Sequence, residues 1–176
     1  ATRYPFSEVL SKLPMLKSPA GRMELINAEA KPGVIVDYAH TPDALEKVLI
    51  TLRSHGKGKL WVVFGCGGER DIGKRSKMGA IAERYADYVV ITNDNPRGEP
   101  EEAIISHIKM GMIGKVVVEM DRRSAIRHAI SHASPDDLIL IAGKGHEEYQ
   151  QLSHQTFAFS DQTQAKLALN DLTGAG

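Results

Sequence analysis

Four short segments of the chain combine charged or amide side chains with glycine or proline, and each follows a run of apolar residues. The segments are Asp37-Tyr38-Ala39-His40, Gly65-Cys66-Gly67-Gly68, Asn93-Asp94-Asn95-Pro96-Arg97 and Gly143-Lys144-Gly145-His146-Glu147. In an open sheet of parallel strands, ligands bind beyond the carboxyl ends of the strands. We therefore expect the four segments to line one rim and to carry the chemistry of the protein.

The segment from Asp94 to Arg97 has the groups that are needed to bind an amino acid. An arginine can bind a carboxylate through two parallel hydrogen bonds, whereas Asp94 and Asn95 can accept hydrogen bonds from an ammonium group. Pro96 stiffens the turn between them. The alternative for this segment taken alone is a solvated turn closed by an Asx cap, which the same residue types also favour.

The glycines of the Gly65-Cys66-Gly67-Gly68 segment suggest a dinucleotide-binding loop after a strand. The fingerprint G-x-G-x-x-G requires a third glycine at the position of Arg70. A side chain there obstructs the close packing of helix on strand, so the sequence disfavours a dinucleotide site and a small dehydrogenase. Arg70 stays a candidate for contact with an anion.

Residues 68–74 match the phosphate-binding pattern G-x-x-x-x-G-K, but the next residue is Arg75 instead of Ser or Thr. The hydroxyl that would ligate magnesium is therefore missing, and Glu69 and Asp71 would repel a triphosphate. We interpret the segment as a turn that packs a helix on a strand, in which Lys74 can still contact an anion.

The segment that begins at Gly143 allows close backbone approach and carries ionisable side chains, but it does not complete a metal site. His146-Glu147 begins like the zinc motif H-E-x-x-H, and Gln150 stands where the second histidine is required. With one cysteine in the chain, no metal cluster can be assembled from the sequence, and no metal ligand is expected. The remaining histidines on helices or turns are expected at the surface: His55, His107, His128 and His132.

Asp37 and His40 follow a predicted buried strand and could bind a ribose or a phosphate. The spacing is only weakly informative, because Thr41 and Pro42 fit an ordinary helix start with threonine as N-cap and proline in the first turn. A further charged segment, Gly21-Arg22-Met23-Glu24, lies upstream.

Apolar runs alternate with amphipathic stretches along most of the chain. The runs expected as strands are Val34-Ile35-Val36, residues 60–64, residues 88–91, Val116-Val117-Val118 and residues 138–141. Strands that alternate with helices of about 10–15 residues imply right-handed crossovers. The sequence predicts an α/β fold with a Rossmann-like, doubly wound, mostly parallel sheet of about six strands and helices on both faces. A hairpin over residues 149–159 and a last helix from Ser160-Asp161 to about Leu172 are also expected.

The composition indicates a folded domain and disfavours nucleic-acid and membrane partners. The chain has 176 residues, with 22 basic and 22 acidic side chains and 42% hydrophobic residues. Neutrality is unfavourable for phosphate binding, and no apolar run approaches the ~20 residues that span a bilayer. The single cysteine, Cys66, suggests a reducing compartment, so we expect a cytoplasmic protein. Residues 1–20 contain three prolines and are expected to form a connector.

Taken in order, five segments of the chain resemble the C-terminal domain of the Mur ligases, the ATP-dependent amide-forming enzymes of bacterial peptidoglycan synthesis. The segments are Gly21-Arg22-Met23-Glu24 and residues 37–43, 64–70, 94–97 and 143–150. Within the family they are most similar to members that add meso-diaminopimelate to UDP-N-acetylmuramoyl-L-alanyl-D-glutamate. The resemblance implies that residues 1–20 are the remnant of a preceding ATPase domain and that residues 21–176 are the C-terminal domain.

The resemblance also implies roles for individual residues. Meso-diaminopimelate would be contacted by Arg70, Asp94, Asn95, Pro96, Arg97, Gly143 and Glu147. Arg97 would bind the distal carboxylate, which lysine lacks. Arg22, Asp37 and His40 would reach the nucleotide when the domain closes over the ATP site. No catalytic residue and no metal ligand are expected in this domain.

The chemistry that the resemblance implies is the formation of an acyl phosphate. ATP with Mg²⁺ would phosphorylate the glutamyl carboxylate, and the amine of diaminopimelate would then attack it. The sequence contains no intact ATP-binding loop, so we expect this chain by itself to hold no cofactor and to catalyse no ligation. The alternative is a stand-alone module that binds a nucleotide or an amino acid without chemistry.

Overall fold

A computed structural model describes residues 21–26, 31–153 and 155–172 of the chain. The expected connector over residues 1–20 lies outside these ranges. The strands are β1 (Glu24–Ile26), β2 (Gly33–Asp37), β3 (Leu60–Phe64), β4 (Tyr88–Ile91), β5 (Val117–Val118), β6 (Leu138–Ala142), β7 (Tyr149–Leu152) and β8 (Gln155–Ala158). The helices are α1 (Pro42–His55), α2 (Gly73–Tyr85), α3 (Glu101–Lys109), α4 (Arg122–His132) and α5 (Asp161–Asp171).

Six strands form one sheet in the order β1-β2-β6-β3-β4-β5. All neighbours are parallel except β1, which pairs antiparallel with β2. The predicted six-stranded, mostly parallel sheet is therefore confirmed. The sequence analysis did not predict β1, because three residues are too few for an apolar period to be recognised. Its middle residue, Leu25, is 58% exposed, as is typical of an edge strand.

The central strands are apolar on both sides because helices cover both faces of the sheet. In β3, Val62 and Phe64 pack in a core cluster with α1, α2 and α3. The alternating residues Trp61 and Val63 belong to a second cluster, which contains α4 and α5. The doubly wound arrangement predicted from the sequence is confirmed, with three helices on one face and two on the other.

Helix starts follow the local residue types. Thr41 accepts a hydrogen bond from the backbone N–H of Ala44 at the start of α1, and Pro42 occupies the first turn. Asp121 caps α4 and Ser160 caps α5 in the same way. These side chains satisfy backbone N–H groups that have no partner inside the helix. The three predicted helix starts are confirmed.

The predicted hairpin is also present, as strands β7 and β8 with Tyr149 opposite Ala158. It lies beside the turn after β4, because the backbone N–H of Arg97 donates to the carbonyl of Gln151 over 3.3 Å. The hairpin therefore closes one side of the rim. Among the described helices, none has the length and apolar character needed to cross a bilayer.

A buried ion pair joins α4 to α5 behind the rim. The Nε and Nη2 atoms of Arg122 donate to the two carboxylate oxygens of Asp161 over 2.8 Å each, and both side chains are fully buried. The remaining donors reach the carbonyls of Asn93, at 3.3 Å, and Ala142, at 3.0 Å. These carbonyls lie next to the ends of β4 and β6, so one guanidinium holds two strand ends and two helix starts.

Arg122→Met is expected to lower the free energy of unfolding by about 3–5 kcal/mol, because it leaves the charge of Asp161 buried without a partner. Urea denaturation of the chain measures this loss. The matched control is Arg123→Met, since Arg123 is exposed on the same helix. The free energy of unfolding of this variant is expected to change by no more than about 0.5 kcal/mol. A loss below about 1 kcal/mol in Arg122→Met would contradict the role given to the pair.

Candidate functional site

A cleft of about 640 Å³ opens at the carboxyl ends of β2, β3, β4 and β6. Its lining includes residues of all four segments that the sequence analysis placed at one rim, so that expectation is confirmed. The predicted site residues that line it are His40, Arg70, Asp94, Asn95, Arg97, Gly143 and Glu147. Arg22, Asp37 and Pro96 lie outside this lining.

Arg97 is held in the cleft by backbone carbonyls from two loops. Its Nη1 atom donates to Gly68 over 2.8 Å and to the carbonyl of Asn95 over 3.3 Å. Among the described residues, only this nitrogen of the guanidinium donates to protein, so Nε and Nη2 can bind a carboxylate. Arg97 also has φ +56, a left-handed conformation that is uncommon and energetically costly for a residue with a Cβ.

Gly67 keeps space open between the two arginines of the cleft. A Cβ added to Gly67 would lie 3.0 Å from Nη1 of Arg97 and 3.5 Å from Cγ of Arg70. The two cationic side chains therefore flank the same glycine. Arg70 itself is exposed on the loop before α2. The pair can present two guanidinium groups to carboxylates of a single small ligand.

Asp94 provides a carboxylate that is 8% exposed in the floor of the cleft. Its Oδ2 atom would be only 2.6 Å from a Cβ on Gly143, which has φ +120. Glycine is required there both by its backbone conformation and by the closeness of the carboxylate. Burial raises the pKa of Asp94, while the charges of Arg122 and Lys144 oppose that rise.

Asn95 and Pro96 both have contacts within the protein. The Oδ1 atom of Asn95 accepts hydrogen bonds from Lys144 Nζ and from the backbone N–H of Gln151, both over 2.9 Å. Its Nδ2 donates to Glu147 over 3.1 Å. The Asn95 oxygen therefore already accepts from two donors of the protein, and its expected contact with the ligand stays a prediction. Pro96 is buried and forms the backbone of the turn.

Asp37 likewise accepts hydrogen bonds from backbone groups, and its expected contact with a nucleotide stays a prediction. Its Oδ1 accepts from the N–H of Ala39 and its Oδ2 from the N–H of Met23, over 2.8 Å each. The second bond ties the turn that carries Arg22 to the end of β2. The guanidinium of Arg22 lies 5.8 Å from the centroid of the Tyr38 ring, which lines the cleft. Asp37 therefore positions Arg22 at the rim.

The Arg22 turn also packs against the loop after β6. Gly21 has φ +69, and a Cβ on it would lie 2.1 Å from the backbone nitrogen of His146. Glu24 accepts hydrogen bonds from the N–H of Gly21 and from Gln162, and Gln162 also donates to the carbonyl of Gly145. The expected nucleotide side and the expected amino-acid side of the rim are thus joined through one glutamine of α5.

His40 and Lys74 complete the side of the cleft near Arg22. The Nδ1 atom of His40 is 2.8 Å from the carbonyl of Tyr38, and Nζ of Lys74 donates to the carbonyl of His40 over 2.8 Å. Both side chains line the cleft. Lys74 adds a positive charge that the sequence analysis named as an anion contact, but did not include among the ligand-binding residues.

Arg75 and Glu99 form a second buried support that sequence reasoning missed. The guanidinium of Arg75, fully buried, donates to both oxygens of Glu99 over 2.6 and 2.7 Å and to the carbonyl of Gly67 over 3.2 Å. Glu99 also accepts from the N–H of Glu69. The hydrogen bonds from Arg75 lower the pKa of Glu99 to about 2. The pair connects the loop of Arg70 with the turn that follows Arg97.

One histidine expected at the surface takes part in this support. His107 is half-buried, and its Nδ1 lies 3.0 Å from Nη1 of Arg75. The helix period places His107 beside apolar positions of α3, but the arginine that it faces belongs to another helix, so the sequence carried no signal for the contact. His55 and His132 are exposed as expected, and His128 is partly buried.

Neither a metal ligand set nor a reactive thiol is evident in the described ranges. No group of three or more His, Cys, Asp or Glu side chains there is arranged to hold a metal ion. Burial raises the pKa of Cys66 to about 12, and its Sγ lies 3.7 Å from the sulfur of Met78. The thiol is therefore protonated at neutral pH and unsuited to nucleophilic attack.

Comparisons with known proteins agree on one family. The family model described as "Mur ligase, glutamate ligase domain" matches residues 21–145. The UDP-N-acetylmuramoyl-L-alanyl-D-glutamate–2,6-diaminopimelate ligase of Coxiella burnetii is 50% identical over 167 residues, covering 94% of this chain and 34% of the relative. The protein of the same name from Pseudomonas aeruginosa is 52% identical over 168 residues, with coverage of 94% and 34%.

A solved structure with that name superposes with a TM-score of 0.84 at 39% identity, covering 97% of this chain and 35% of its own. The chain thus spans about a third of the length of the relatives it matches.

Glu99→Gln is expected to destabilise the protein at about pH 7 and to destabilise it clearly less near pH 3. The pKa of Glu99 is about 2 in the fold and near 4.5 ordinarily. Its ionised carboxylate therefore stabilises the fold at pH values above about 4.5. That stabilisation is lost as the pH falls toward 2. Urea denaturation of both proteins at the two pH values measures the difference. Glu102→Gln, at an exposed position of α3, is the control, and an equal Glu99 effect at both pH values would contradict the pairing.

Proposed function

The chain belongs to the Mur ligase family through its glutamate ligase domain, and we propose that it is the amino-acid-binding domain of a ligase that adds meso-diaminopimelate to UDP-N-acetylmuramoyl-L-alanyl-D-glutamate. Relatives at about half identity carry the name of that reaction, which supports this choice within the family. The observation that carries the proposal is the separation of charges within the cleft.

The positively and the negatively charged side chains of the cleft form two separate groups. Arg70 and Arg97 flank Gly67, whereas Asp94 and Glu147 lie around the loop that begins at Gly143. When one amino group of diaminopimelate reacts, the other end of the molecule keeps a carboxylate and an ammonium. The arginines suit the carboxylate, and the buried carboxylates suit the ammonium. This arrangement of charges supports a ligand with a zwitterionic end group.

The contribution of this chain to the reaction is orientation. By binding the distal end of diaminopimelate, the cleft would hold the reacting amine in one direction, and such positioning lowers the barrier by making attack effectively unimolecular. When bound, ATP supplies the phosphoryl group that activates the glutamyl carboxylate. Arg22 and Lys74, at the rim, have the charge needed to face phosphate oxygens.

We propose that Mg²⁺ enters with ATP and that this chain by itself holds none; the described residues contain no cluster of three metal-ligating side chains. The expected binding partners of the whole ligase are therefore ATP with Mg²⁺, the UDP-linked dipeptide and meso-diaminopimelate, of which this domain selects the last. These substrates are made inside the cell, so the proposal implies a cytoplasmic enzyme.

Arg97→Ala is expected to reduce the preference for diaminopimelate over lysine by about 100-fold or more, because lysine has no second carboxylate to pair with the guanidinium. The measurement is kcat/KM for both amino acids in the protein encoded by the complete reading frame. Arg97→Lys keeps the charge without the planar fork, and an intermediate preference is expected.

Arg123→Ala, on an exposed part of α4, serves as the control for these variants. A variant without Arg97 that still prefers diaminopimelate as strongly as the unaltered protein would contradict the proposed substrate contact. A complete protein that forms no ATP-dependent amide bond with diaminopimelate would contradict the proposed function itself.

The 176-residue chain by itself is expected to form no amide bond from ATP, diaminopimelate and the UDP-linked dipeptide. The physical reason is that the described residues contain neither a metal ligand set nor a phosphate-binding loop with its hydroxyl. The measurement is the rate of phosphate release from ATP, compared between the chain alone and the complete protein. Ligation by the chain alone at a rate similar to the complete protein would disprove the expectation.

A further inference from the structure

We propose that Lys144 is a positioning residue that sets Glu147 to receive the ammonium group of the ligand. The inference rests on the proposed function. It adds the residue that determines selection for the ammonium group, which is one of the two charged groups at the distal end of the ligand. Lys144 lies in the loop after β6, and its side chain is 0% exposed. It is not part of the cleft lining, so it acts through its neighbours.

Lys144, Asn95 and Glu147 form a closed set of contacts beneath the cleft. Nζ of Lys144 donates to Oδ1 of Asn95 over 2.9 Å and lies 3.5 Å from Oε2 of Glu147. Nδ2 of Asn95 donates to the same Oε2 over 3.1 Å. Because both contacts fall on Oε2, the other carboxylate oxygen of Glu147 can accept a hydrogen bond from the cleft.

The loops that carry these residues come from distant parts of the sequence. Asn95 follows β4 and Lys144 follows β6, so their hydrogen bond links residues 49 positions apart. Nζ of Lys144 also lies 5.5 Å from the centroid of the Tyr149 ring, which lines the cleft. The lysine thus contacts three parts of the wall without reaching the ligand space, as expected of a residue that holds the wall in place.

The charges around Lys144 leave room for one positive charge. Arg122 and Asp161 neutralise each other, and Lys144 balances one of the two carboxylates, Asp94 and Glu147. With both carboxylates ionised, these five side chains carry one negative charge in excess, and one ammonium ion would neutralise it. A neutral group in the same place would leave a buried carboxylate without a partner, which is unfavourable.

Removing Lys144 would disturb this balance. Burial raises the pKa of Asp94, the charges of Arg122 and Lys144 oppose that rise, and the charge of Glu147 adds to it. Without the lysine, Asp94 would lose part of the counter-charge that opposes this rise, so its carboxyl group would bind a proton more readily. A protonated carboxyl is a poorer partner for an ammonium, so selection for that group would be weakened.

The test compares meso-diaminopimelate with 2-aminopimelate, which keeps the distal carboxylate and lacks the distal amino group. In the complete protein, the ratio of kcat/KM for the two is expected to be about 100 or more, and Lys144→Met is expected to reduce it to below about 10. KM for ATP is expected to change by less than about 2-fold, because the nucleotide side is not altered. Lys144→Arg, which keeps the charge, is expected to retain most of the ratio.

Lys109→Met is the matched control, because Lys109 is exposed at the end of α3. If Lys144→Met fails to fold, Lys144→Gln gives the same comparison, because it keeps a donor for Asn95 and removes the charge. An unchanged ratio in the folded variant, whatever the overall rate, would overturn the proposal. An unaltered protein that uses neither compound would overturn the proposed function, whereas an active protein with an insensitive ratio overturns only the role of Lys144.

Discussion

The buried pair of Arg122 and Asp161 is the interaction on which the rest of the site depends. Its guanidinium meets the carboxylate on one side and the carbonyls of Asn93 and Ala142 on the other. The residues that follow those carbonyls are Asp94 and Gly143, which line the cleft. Paired charges in a dry interior tolerate little displacement, because each lost hydrogen bond leaves a buried charge exposed to a low dielectric. The two strand ends are thereby placed before any ligand binds.

Two further buried cations extend the same principle to the loops. Arg75 connects the loop of Arg70 with the turn after Arg97 by way of Glu99, and Lys144 connects the turn of Asn95 with Glu147. In each case a buried cation holds in place a loop whose side chains line the cleft. Exposed side chains lose conformational freedom on binding, so a wall held by buried ions presents its charges with less reorganisation. The arrangement is suited to a small ligand with two opposite charges.

Much of the fold could be predicted because its signals are local. Apolar runs indicated the central strands, the alternation with helices indicated a parallel sheet, and Thr41, Asp121 and Ser160 marked helix starts through bonds within three residues. The rim could also be predicted, since parallel strands end at the same edge. The strand β1 escaped because it has three residues. The side-chain commitments of Asp37 and Asn95 escaped because their partners lie 14 and 49–56 residues away.

The sequence by itself determined which chemical groups are present at the rim and that they follow buried strands, because residue type and hydrophobic period are local properties. It also contained the segments that place the chain in the Mur ligase family. Only the tertiary structure decided which groups of the protein each of these polar side chains binds. The oxygens of Asn95 and Asp37 accept hydrogen bonds from Lys144 and from backbone N–H groups, which residue type alone did not reveal. A hydrogen-bond acceptor has few lone pairs, and only the packing of distant loops determines which donors reach them first.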